Sequence, residues 1–131
     1  MPPSRIKTRT IAEVEASIKA HTLPETEHQV IIHCIYKAGG EGMWIRIWPT
    51  TFLIDKTINH RSELVHVENI PMFPDWLQVA PNEKIQFSLI FTGLPASCLH
   101  FDLLEEIAEP GAFTFLNIPR NETDVYTVRF S

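Results

Sequence analysis

The stretch KIQFSLIFT, Lys84 to Thr92, sets Ile85, Phe87, Leu89 and Phe91 on one face and Gln86, Ser88 and Thr92 on the other. That period of two is the signature of a half-buried strand. Downstream, Gly93 and Pro95 turn the chain into a second apolar run, Leu99 to Ile107. Pro110 and Gly111 turn it into Phe113 to Ile118, and Asp124 to Phe130 closes the series. Upstream lie Ser62 to Ile70, then the proline- and aromatic-rich connection Pro71 to Trp76. Before these come the β-branched runs Glu27 to Lys37 and Met43 to Asp55, joined by Ala38 to Gly42 with three glycines. That joint reads as a hairpin tip. Ile11 to Ala20 alternates at its even positions and is read as a strand, although Ile11, Val14 and Ile18 also fit a helical stripe. Seven or eight short strands with turns every ten residues or so predict an all-β fold, an antiparallel two-sheet β-sandwich.

Composition points the same way. Ten prolines against five glycines in 131 residues disfavour an all-helical bundle, since proline removes an amide donor and clashes inside a helix. Most of the prolines fall between strand signals, as turn punctuation and edge protection require. Pro49 interrupts an apolar run and marks an edge, a bulge or a strand changing sheets. A single domain over residues 1–131 is expected, with 1–10 a loose tail. A chain of this length buries roughly two thirds of its unfolded surface without metals or disulfides. A net charge of -5 lacks the basic patch that nucleic acid needs. No run reaches the ~18 apolar residues of a membrane span. Met1 to Thr10 lacks the apolar core of a secretory signal. The chain as written reads as cytoplasmic, and as periplasmic or secreted if a leader has been trimmed from it.

Cys34, Trp48 and Cys98 follow the order found on strands B, C and F of an immunoglobulin domain. Val30, Ile32, Cys34 and Tyr36 share one face, whereas Cys98 alternates in phase with His100 and Asp102 and opposite Leu99, Phe101 and Leu103. Turning Cys98 inward would bring two polar neighbours with it, so two free thiols are expected. The segment Phe87 to Glu106, FSLIFTGLPASCLHFDLLEE, resembles small immunoglobulin-like modules of secreted and periplasmic bacterial proteins, including those that precede thioredoxin-like domains. The resemblance implies an accessory or recognition module. Read as written, this chain is expected to depart from it in lacking a signal peptide and an attached thioredoxin domain.

Chemistry-bearing motifs are sparse. Six histidines occur at 21, 28, 33, 60, 66 and 100 without HxH, HExxH or CxxC. Cys98, His100 and Asp102 share a strand face but would span about 13 Å, too wide for one zinc. No metal site, cofactor or catalytic residue is expected. Glu105, Glu106 and Glu109 read as a solvated edge. The informative feature is Met43 to Pro49. Burying Ile45 and Ile47 leaves Trp44, Arg46 and Trp48 as an aromatic ladder around an arginine, the composition of a binding surface. In an immunoglobulin arrangement that strand neighbours the one bearing His100 and Asp102, so these five residues form the candidate binding face. Two alternatives stand: Trp48 fills the core with a register reset at Pro49, or the Pro71 to Trp76 loop covers Trp44 and Arg46. The expected function is a noncatalytic module that docks a protein partner, a second copy included. A carbohydrate-binding module comes next, and a small metal-dependent or hydrolytic enzyme last.

Overall fold

A computed structural model describes residues 28–108 and 112–131. The alternating stretch 11–20, the N-terminal tail and the turn at Pro110 and Gly111 lie outside the described residues. Nine strands and no helix occur among those described: β1 Val30–Lys37, β2 Met43–Ile45, β3 Thr51–Asp55, β4 His60–Glu68, β5 Leu77–Val79, β6 Lys84–Phe91, β7 His100–Glu105, β8 Thr114–Pro119 and β9 Val125–Phe130.

Seven strands form one continuous sheet in the order β8-β7-β3-β4-β6-β1-β9, while β2 and β5 pair separately. The sheet is mixed, because β9 runs parallel to β1 and every other pairing is antiparallel. This corrects the expectation of two antiparallel sheets. The physical reason lies in β4, which pairs with β3 through His60 to Glu63 and with β6 from Leu64 onward, with a register shift between Leu64 and His66. A bulge adds one unpaired residue and sharpens the local twist. The sheet therefore curls through β4 instead of breaking in two. Its far strands meet across the interior, with Phe115 of β8 5.6 Å from Phe130 of β9 and Phe101 of β7 5.0 Å from Tyr126 of β9.

The alternation read in the sequence sets the core. Val30, Ile32, Cys34 and Tyr36 of β1 and Ile85, Phe87, Leu89 and Phe91 of β6 point into one cluster with Leu53, Phe101 and Leu103. Such burial of apolar area is the main stabilising contribution, at ~25 cal/mol per Å². The glycine-rich connection is not a hairpin tip, since β1 pairs with β6 and β9 and β2 pairs with β5. It turns the chain off the large sheet, with Gly42 at φ 77°, a backbone that suits glycine. Pro49 marks a change of sheets: β2 lies in the small sheet and β3 in the large one. Between them Ile47 forms a parallel bridge to Met72.

Candidate functional site

Ile45 and Ile47 turn inward, Ile47 being fully buried, so Trp44, Arg46 and Trp48 lie on the other side of the strand. The core reading of Trp48 is not realised. Trp44 is 37% exposed. The Pro71 to Trp76 loop meets the other two. Ile47 N donates to Pro71 O at 3.0 Å, and Phe73 N donates to Ile47 O at 2.8 Å. Phe73 thereby stacks on Trp48 with ring centroids 4.0 Å apart. The Arg46 guanidinium carbon sits 3.7 Å from the Trp76 ring centroid, 4.6 Å from that of Phe73 and 5.1 Å from that of Trp48. Its Nη1 donates to Pro74 O at 3.2 Å.

Beneath this strand runs a cleft of about 420 Å³ between the small sheet and the end of the curled one. Trp44, Trp48 and Trp76 line it together with Tyr36, Phe87, Phe113, Phe130 and Glu105. Glu105 corrects the solvated-edge reading, being only 5% exposed. Phe101, Leu103 and Glu105 alternate onto the inner face of β7, and Glu105 Oε2 accepts a bond from Trp48 N at 3.2 Å. Glu106, one residue on, faces out and pairs with Arg61.

His100 and Asp102 do not line the cleft. The neighbour relation that would have joined them to the tryptophan strand is absent, because β2 pairs with β5 and β7 with β3 and β8. His100 is exposed at the start of β7. Asp102 accepts the amide of Asn117 at 2.8 Å, and Lys56 Nζ lies 3.0 Å from its other oxygen. Asn117 has φ 55° where the β7–β8 register shifts, so this carboxylate closes a bulge. Burial pushes the Asp102 carboxyl up, but the Asn117 amide and the Lys56 ammonium outweigh it and hold it below the ordinary carboxylate range. Phe73, Trp76 and Glu105 were not among the candidates. The aromatic composition of Pro71 to Trp76 signalled the first two, and alternation with Leu103 signalled the third.

Both cysteines are free and buried. Burial pushes the Cys34 thiol up. For Cys98 burial acts first and the neighbouring Asp55 carboxylate adds to it, so neither thiol is primed as a nucleophile. Asp55, His60 and Ser62 lie close together on the β3–β4 hairpin, with Nε2 of His60 2.9 Å from the Ser62 hydroxyl. That hydroxyl donates to Gly93 O and is fully buried, so it presents no attacking oxygen to a substrate. No group of three or more metal-ligating side chains suited to an ion occurs among the described residues. No helix among them is long and apolar enough to cross a membrane. Compared with known proteins, the chain matches no family model, no curated protein and no solved structure.

Proposed function

We propose that this protein is a noncatalytic binding module that docks a protein partner at the aromatic cleft beneath β2. The observation that carries the reading is the rim. Met43 and Trp44, 54% and 37% exposed, line an aromatic cavity, and Phe73, 42% exposed, stacks on its Trp48. Large apolar side chains left in solvent around a concavity are characteristic of interaction sites, and aromatic residues and arginine dominate interface energetics. A curled sheet bent at β4 into two facing leaves keeps the immunoglobulin-like, sandwich-type kinship within this reading. Two free buried thiols are in keeping with a reducing compartment.

The test compares full-length baits in the native host: wild type, Trp44→Asp, Met43→Asp, and Leu116→Asp as an exposed apolar control on β8. Loss of one discrete partner with the two rim variants but not with the control is the expected result. Equal recovery by all four equally folded baits sinks the reading. The carbohydrate alternative is weaker on geometry, since Trp48 is stacked on Phe73 and Trp76 carries Arg46, so one face of each of these indoles is already covered. A saturable change in tryptophan fluorescence with a soluble glycan would restore it.

A further inference from the structure

We propose that Trp48, Phe73 and Trp76 form a binding site for a cationic side chain, which the chain keeps filled with its own Arg46. A guanidinium or alkylated ammonium of a protein partner takes the site by displacing it. This identifies the chemistry of the docking surface proposed above and rests on that reading. The guanidinium carbon lies 3.7 Å from the Trp76 ring centroid and beside the Trp48–Phe73 stack, 5.1 and 4.6 Å from those centroids, so Trp76 supplies the principal ring contact that an organic cation seeks and the stack flanks it.

The walls stand without the resident. The loop is tied to the tryptophan strand by the Ile47 to Pro71 and Phe73 to Ile47 backbone bonds, and it is turned by Asp75 N donating to Met72 O at 3.0 Å. Trp48 is fixed by its stack on Phe73. The residue after Trp76, Leu77, is paired with Ile45. None of these contacts uses the guanidinium, so the cage survives its departure. Phe73 is 42% exposed, and the Arg46 bond to Pro74 O is solvent-exposed, so water replaces that bond when the guanidinium leaves. A net charge of -5 favours approach of a cation.

The experiment titrates methylguanidinium and tetramethylammonium chloride into full-length wild type, Arg46→Ala and Arg46→Gln. Tryptophan fluorescence is followed, with sodium chloride as the ionic-strength control. A resident competitor lowers apparent affinity by the fraction of time the site is open. The emptied variants therefore give a saturable change at a concentration at least about tenfold lower than wild type, and a further Trp76→Ala substitution abolishes it. Three results overturn the proposal: no saturable change in a folded variant, an equal response in wild type, or loss of fold in both Arg46 variants. Because small cations interrogate the cage without any partner, cation binding combined with a partner insensitive to Trp44→Asp would keep the cage and discard the docking reading.

Discussion

Asp124 holds a left-handed backbone at φ 55° and organises the corner between β8 and β9. Arg120 grips it with two bonds, Nε to Oδ1 at 2.5 Å and Nη2 to Oδ2 at 2.9 Å. The Tyr126 hydroxyl donates to Oδ1 at 2.9 Å. The same guanidinium reaches Pro95 O and Cys98 O, tying the corner to the turn before β7. Burial pushes the Asp124 carboxyl up, but the Arg120 and Tyr126 bonds and the Arg120 charge outweigh it and hold it below the ordinary range. A carboxyl depressed in the folded state contributes stability above its unfolded value and loses it as pH falls through the folded one. Asp124→Ala should cost about 3 kcal/mol at neutral pH by orphaning a largely buried guanidinium. In urea unfolding the gap from wild type should narrow below roughly pH 4. A gap of equal size at pH 7 and pH 3 would refute the charge assignment.

At this scale the sequence misleads where phase is carried across a turn. Alternation carried back from His100 and Asp102 puts Cys98 in register with them, yet it lies in the turn closed by Cys98 N on Pro95 O. It is buried while His100 is exposed, and Leu99, which alternation puts on the core face, is 72% exposed.

Elements with long alternation were legible. The inward faces of β1 and β6 match the periodicity residue for residue, because each side chain of a paired strand must choose one of two sides. The break at Pro49 was legible as well. Strand β5 was not, since three residues are too few to show a period, and the bulge of β4 is defined by partners on both sides that no local pattern names. The small sheet gives a sharp comparison between glycines. A Cβ on Gly42 would lie 2.8 Å from Val79 O and 3.3 Å from Pro81 N, on a backbone at φ 77°, whereas Gly40 has open space. Gly42→Ala should destabilise by more than about 1 kcal/mol. It should loosen β2 from β5, seen as a red shift of tryptophan emission. Gly40→Ala should leave both stability and spectrum unchanged, and matching effects at the two positions would contradict the placement.

Across the whole molecule, an all-β fold was readable from strand spacing, but continuity of the sheet was not, because curl and parallel pairing are set by contacts far apart in sequence. The candidate site was half legible for the same reason. Trp44, Arg46 and Trp48 sit on one short segment, whereas Glu105 and the Pro71 to Trp76 loop reach them only through the tertiary fold. Phe130 closes the curl, meeting Tyr36 at 5.1 Å, Phe115 at 5.6 Å, Phe113 at 6.0 Å and Phe87 at 6.2 Å between ring centroids. Phe130→Ala should cost about 3 kcal/mol, with a single cooperative transition by both fluorescence and circular dichroism. A near-neutral result would show that the far strands do not depend on this contact.

The parallel pairing of β1 with β9, Ile31 opposite Val125, also governs how the chain comes off the ribosome. β1 lies between β6 and the edge strand β9, yet β9 is synthesised on the order of ten seconds later at usual translation rates. Through that interval one edge of an apolar strand waits without its partner, the condition under which nascent chains recruit chaperones or join one another.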